Sequence, residues 1–156
     1  MKGAVSIPRE FLETIKSRAE TDYPNETCGI LVGPKTNPGV LSGIFPCRNL
    51  QDEYHARDPV NFPRTARAAY FIDPQDLLRI QRESRPKGEE MRVIYHSHTD
   101  AGAYFSEEDT RIALSEGGPA YPGVSYAVVS VVQGKAGEAL LFQWDAGKRA
   151  FCGSKI

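Results

Sequence analysis

The residues best suited to chemistry lie between His96 and Asp109. Two of the chain's three histidines stand two apart, at His96 and His98, and Ser106 and Asp109 follow. Met91 to His98 reads as a strand, and residues two apart in a strand point to the same side. Both imidazoles therefore project together as a pair of nitrogen ligands. A carboxylate from the helical run that follows completes three. Three protein ligands plus a water is the open arrangement of catalytic zinc, whereas structural zinc closes all four positions. Glu107, Glu108 and Asp109 all fall in the first turn of that helix, and by geometry alone each is placed to be the third ligand. Ser106-x-x-Asp109 also matches a helix-capping pattern, and on its own capping takes most of the weight. The two roles are compatible, because a helix N-terminus aims its serine and first-turn groups at whatever lies before it.

A hydrolytic zinc site also needs a proton carrier. Zinc brings the pKa of its water to about 7, and a nearby carboxylate can take that proton and return it to a leaving group. Glu26 stands at the mouth of the apolar run Cys28–Gly33, where burial would raise its pKa. On the residues alone, a solvated loop acid is the preferred reading of Glu26. Other classes compete. Two histidines and one carboxylate also hold non-haem iron, but strand-borne sites of that kind sit in nearly all-β folds, and Glu26 would then have no role. A cysteine hydrolase using Cys28 is weaker, since a small buried thiol is the commoner state of cysteine.

The elements that must position these residues read as follows. Residues 3–7 form a short strand. Ser6 caps a helix with Pro8 in its first turn, and Phe11, Leu12, Ile15 and Ala19 share one face of it. Asp22-Tyr23-Pro24-Asn25 ends that helix. Cys28–Gly33 is a buried strand, with Val40–Cys47 as its antiparallel partner. Residues 49–67 are polar, without either period, and read as a long surface loop, functional or merely inserted. Its arginines Arg57, Arg64 and Arg67 face a partner or only solvent. Ala68–Ile72 is a strand. Asp73 caps a helix with Pro74 at its first position, Asp76 in its first turn and Leu77, Leu78 and Ile80 on its apolar side. Ser106–Glu116 is a helix, Ser125–Val132 a central strand buried on both faces, Glu138–Trp144 another strand, and Arg149–Cys152 a short edge. Trp144 is expected in the core, His55 exposed, and Tyr104 and Phe105 ordering the loop after the histidines. The sum is one α/β domain over 1–156, a mixed, mostly antiparallel sheet flanked by about three helices.

The chain's 156 residues suffice for a core without staples. A formal charge of −1 gives no electrostatic case for nucleic acid or an anionic membrane. Three widely spaced cysteines are no disulfide framework and fit a reducing cytoplasm. With neither a transmembrane run nor a signal-peptide core, the expectation is a soluble cytoplasmic protein. The oligomeric state stays open.

Taken together, Glu26 within Pro24-Asn25-Glu26-Thr27-Cys28-Gly29-Ile30-Leu31-Val32-Gly33, followed by His96-x-His98-x(7)-Ser106-x-x-Asp109, resembles the JAMM (MPN-plus) metalloprotease family, over most of the chain. The resemblance implies an MPN, cytidine-deaminase-like fold and a Zn2+ peptidase or isopeptidase. His96, His98 and Asp109 would bind the metal. Glu26 would activate the water and protonate the leaving amine, and Ser106 would donate to the oxyanion. It also implies a substrate: a ubiquitin-like or sulfur-carrier protein, cut near its C-terminal Gly-Gly, with 49–67 as one wall of a narrow groove. A non-catalytic zinc-binding interaction module and a cell-wall peptide hydrolase are the alternatives. One departure is visible. The family usually has proline after the second histidine, and Thr99 stands here, which bears on the loop's rigidity and not on the ligand set.

Overall fold

The computed structural model describes residues 4–156. Six strands form one sheet in the order β2 (Gly43–Cys47), β1 (Cys28–Pro34), β3 (Glu89–Thr99), β6 (Ser125–Val132), β7 (Lys135–Asp145) and β8 (Ala150–Lys155). Only β3 and β6 run parallel; the other neighbouring pairs are antiparallel. A two-stranded ribbon, β4 (Leu114–Ser115) and β5 (Gly118–Pro119), lies apart from the sheet. The helices are α1 (Arg9–Asp22), α2 (Gln51–Arg57), α3 (Pro74–Ser84) and α4 (Glu107–Ala113), so four flank the sheet where about three were expected. No helix among the described residues is long and apolar enough to cross a membrane.

The alternation of β3 sorts its side chains between two cores. Val93 and Tyr95 point to one face, where Ile15 of α1 packs with Leu31, Val129 and Leu141. Ile94 points to the other, among Cys28, Ile30, Ile80, Ala113, Tyr126 and Val128. His96 and His98 continue the Ile94 row, so they emerge on the face covered by α3 and α4. Two parallel strands cannot be joined by a tight turn. The crossover from β3 to β6 carries α4, which brings the carboxylate-bearing helix over the histidines.

Several expected elements differ. Residues 4–7 of the expected first strand are not in a strand, and Gly3 lies outside the described residues. Pro8, not Ser6, precedes α1, which has no side-chain cap. Residues 49–67 are not a structureless loop, because they contain α2. This polar helix has no apolar stripe to announce it; Tyr54 docks it against Phe71 and Phe62, with ring centroids 4.4 and 5.0 Å away. Ala68–Ile72 makes only an isolated bridge, Asn49 to Ile72. The Asn49 side chain takes the backbone there instead, donating to Ala69 O and accepting from Phe71 N. The helix expected over Ser106–Glu116 stops at Ala113. Glu116 and Gly117, both at positive φ, 51° and 82°, turn the chain directly into the β4–β5 ribbon, as a two-residue turn with left-handed residues does. β7 and β8 both run longer than their expected ranges. Trp144 is half-buried on Phe151, ring centroids 5.2 Å apart, and His55 is half-buried, its Nδ1 2.7 Å from Phe62 O. The Asp73 cap of α3 is as expected, accepting from Gln75 N at 2.9 Å.

Candidate metal centre

His96 is fully buried. Its ring stacks on Tyr70, centroids 4.4 Å apart, and neither ring nitrogen has a hydrogen-bond partner. Its Nε2 lies 3.2 Å from Asp109 Oδ2, too poorly aligned to be a hydrogen bond. His98 donates from Nδ1 to Gly102 O at 2.9 Å and turns Nε2 to the same Oδ2 at 3.0 Å. A carbonyl on one ring nitrogen leaves the other to serve as ligand. The loop supplying that carbonyl is itself held: Asp100 N bonds Val131 O, and Ser130 Oγ donates to Ala101 O.

Asp109 is placed by its helix. Ser106 Oγ accepts from Asp109 N at 3.0 Å while Asp109 Oδ2 accepts from Ser106 N at 3.1 Å, a reciprocal capping box. Burial alone would raise the Asp109 pKa. The charge of His96 nearby and the hydrogen bonds from His98 and the Ser106 N–H outweigh it and hold the carboxyl well below the usual range. The reciprocal effect appears at His98. Burial would lower its pKa, but the hydrogen bond and charge of Asp109 raise it.

One ligand atom from each of His96, His98 and Asp109 lies within 4.8 Å of the others. Tetrahedral zinc with bonds of about 2.0–2.1 Å sets its ligand atoms about 3.3 Å apart. The 3.2 and 3.0 Å separations suit that spacing. A buried imidazole nitrogen with no partner is costly, and a cation resolves it. The cluster could therefore hold a metal ion, and two imidazoles with one carboxylate are a donor set that suits zinc.

Glu26 stands two residues before the neighbouring strand β1. β1 pairs with β3 as Cys28 to His96. The pairing continues where Thr27 N donates to Ser97 Oγ and Ser97 N to Thr27 O. One further step sets Glu26 across from His98, and directly opposed residues project from the same face. Glu26 is 5 % exposed, and burial pushes its carboxyl up to about 8, with His98 lowering it and Asp109 raising it.

The other candidates sort themselves. Glu107 is exposed, and Glu108 is held by Arg111 through contacts of 3.1 and 2.6 Å. Of the three first-turn acids, Asp109 alone meets the histidines. Cys28 is buried and its pKa is pushed well above the thiol range, which opposes a thiolate nucleophile. Sequence reasoning missed Tyr70, Gly102 and the Thr99–Arg67 contact, in which Thr99 Oγ1 donates to Arg67 O at 2.6 Å. No local pattern marks Tyr70 or Arg67, whose partners His96 and Thr99 are far away in the chain, and Gly102 acts through its backbone carbonyl, which residue type does not announce.

Beside the cluster runs a cleft of about 570 Å³ between residues 61–72, α3 and α4. Phe62, Tyr70, Phe71, Ile94 and Tyr126 line it, with Arg64, Glu108 and Arg111 among its polar members.

Residues 8–145 match the family described as prokaryotic homologs of the JAB domain. The chain belongs to that family. It is also similar to the CysO-cysteine peptidases of Mycobacterium tuberculosis and Mycobacterium bovis. Each is 27 % identical over 124 residues, covering 80 % of this chain and 71 % of the relative. Among solved structures it resembles a Desulfitobacterium hafniense protein with TM-score 0.64 at 22 % identity, covering 95 % of this chain and 88 % of that one. A Salinibacter ruber protein gives TM-score 0.62 at 24 % identity, covering 96 % and 88 %. These two are likenesses of fold, and they agree with the mixed, mostly antiparallel sheet.

Proposed function

We propose that this JAB-family chain, over 1–156, is a cytoplasmic zinc-dependent peptidase or isopeptidase. It would hydrolyse bonds near the C-terminal Gly-Gly of a ubiquitin-like or sulfur-carrier protein. The observation that carries the reading is the buried His96–His98–Asp109 triad with the raised-pKa Glu26 on the same sheet face. His96, His98 and Asp109 would hold a zinc ion, which when bound would supply a Lewis acid for the scissile carbonyl and a water acidified to about pKa 7. Glu26 accepts the proton of the attacking water and returns it to the departing nitrogen as the C–N bond breaks. Ser106, whose Oγ accepts the Asp109 N–H, keeps its own O–H free to donate to the oxyanion. The cleft receives the extended tail. Glycines suit the stretch beside the metal because they allow close backbone approach. The naming of the mycobacterial relatives as CysO-cysteine peptidases supports a sulfur-carrier substrate.

The test is incubation of the zinc-loaded protein with sulfur-carrier precursors bearing residues after Gly-Gly, with mass spectrometry of the products. Cleavage after the second glycine, lost in Glu26→Ala while zinc stays bound, is expected. Zinc binding with no cleavage of any such precursor would leave a non-catalytic zinc-binding module.

A further inference from the structure

We propose that Tyr70 is a positioning residue of the metal centre: its ring, stacked on His96, fixes the plane of that imidazole where no hydrogen bond does. This rests on the zinc reading of the triad above and adds a residue outside both the ligand set and the proton carrier.

The two histidines are held differently. His98 has its ring plane set by the hydrogen bond from Nδ1 to Gly102 O, 2.9 Å long. That is the usual device, a polar partner on the ring nitrogen turned away from the metal. His96 lacks it, since neither of its ring nitrogens has a hydrogen-bond partner among the described residues. The torsion that turns an imidazole about its Cβ–Cγ bond is broad, so another contact must select the plane. Tyr70 supplies a flat one, with centroids 4.4 Å apart and the rings 23° from parallel. The His98 ring is 5.2 Å away and tilted by 57°, so it offers no matching plane. Turning His96 about that bond drives an edge of the imidazole into the Tyr70 face. The contact also suits a metal ligand. An imidazole bound to a cation is electron-poor, and the face of an aromatic ring is the negative part of its quadrupole.

Tyr70 is itself gripped from both sides. The Asn49 side chain donates to Ala69 O at 3.2 Å and accepts from Phe71 N at 3.0 Å, holding the backbone before and after Tyr70. The same side-chain amide donates to Glu26 O at 3.0 Å. The stacked ring is therefore registered to the chain entering β1, and it also lines the cleft.

The test measures zinc affinity of the folded protein by chelator competition, with no substrate present. Tyr70→Leu keeps an apolar side chain but loses the flat face. It should weaken zinc binding about tenfold, the lower end of what losing a ligand's orienting partner costs. Tyr70→Phe keeps the face and should stay within about twofold of wild type. Tyr70→Met makes the same comparison if the leucine variant does not fold. Tyr126→Leu removes a ring from the same core and cleft, one that packs on Phe105 and Phe151. It should lower Tm and leave zinc affinity unchanged. With Co2+ as the probe, the visible absorption of the bound ion should match wild type in Tyr70→Phe and change in Tyr70→Leu. Wild-type affinity in Tyr70→Leu or Tyr70→Met, or equal weakening in Tyr126→Leu, would reduce Tyr70 to core packing and overturn the assignment while leaving the triad. Wild type that binds no zinc would overturn both readings. A protein that binds zinc and cleaves no carrier would fail the peptidase reading and not this one.

Discussion

Ser106 is the residue where two roles coincide. Its Oγ caps α4 by accepting from Asp109 N, and losing an N-cap costs about 1 kcal/mol. An oxyanion donor is worth about 3 kcal/mol of barrier. Ser106→Ala should therefore lower Tm modestly, keep zinc by metal analysis, and reduce kcat about a hundredfold. A variant with unchanged turnover would leave capping as its whole role. Glu26 makes a different prediction, through pH. Its folded pKa of about 8 lies above its ordinary 4.5, so the folded state favours the neutral acid. That contribution is fully present below about pH 4.5 and is lost as pH rises toward 8, by at most about 5 kcal/mol at about 1.4 kcal/mol per pKa unit. His98, also raised, acts with the same sign, so the comparison must isolate Glu26. In chelator-treated protein, Tm of the wild type should fall more steeply between pH 5 and 8 than Tm of Glu26→Gln. Parallel curves would sink the idea that Glu26 is buried at the site.

Among the elements, legibility followed the locality of the forces. β6 announces itself because burial on both faces demands an unbroken apolar run, and α3 because Asp73-Pro74 is a start signal needing no distant partner. The paired histidines were legible for the same reason, since a strand's period of two is local. α2 was not legible, because its hold comes from Tyr54 meeting Phe62 and Phe71 across the segment. The end of α4 was hidden by Glu116-Gly117, whose turn belongs to a ribbon visible only once β4 meets β5. Glu26 read as a loop acid on the residues alone and took a role only through the family resemblance, because the register that sets it opposite His98 is a long-range pairing. Thr99 belongs to this scale too. Arg67 O takes the Thr99 hydroxyl one residue from Ala66, whose carbonyl takes the Glu26 N–H. The segment bearing Tyr70 and Arg64 is thus tied to both strands of the site, by a bond no proline at 99 could make. Thr99→Val should raise KM several-fold for a protein substrate with zinc stoichiometry unchanged, and Thr99→Ser should restore it. Unchanged KM in the valine variant would make the tie dispensable.

At the scale of the whole molecule, the site exists only when distant stretches of chain meet. Glu26 arrives with β1, His96 and His98 with β3, and Asp109 with the crossover that the parallel β3–β6 pair requires. The unfolded chain has no such cluster, so an ion bound to the triad favours the folded state by mass action. At a free metal concentration a hundred times Kd this is about 2.7 kcal/mol, which in a chain of this size corresponds to roughly 5–10 °C in Tm. Chelation should therefore lower the Tm of wild type by that amount, and zinc should restore it. His96→Ala and Asp109→Ala should start lower or higher according to the packing and charge they remove, yet neither should respond to zinc. Cys28→Ser is the control from the same face of the sheet: it should lose some stability from the buried hydroxyl and keep the whole zinc response. A zinc response that vanished with Cys28 and survived the loss of Asp109 would place the metal elsewhere in the fold.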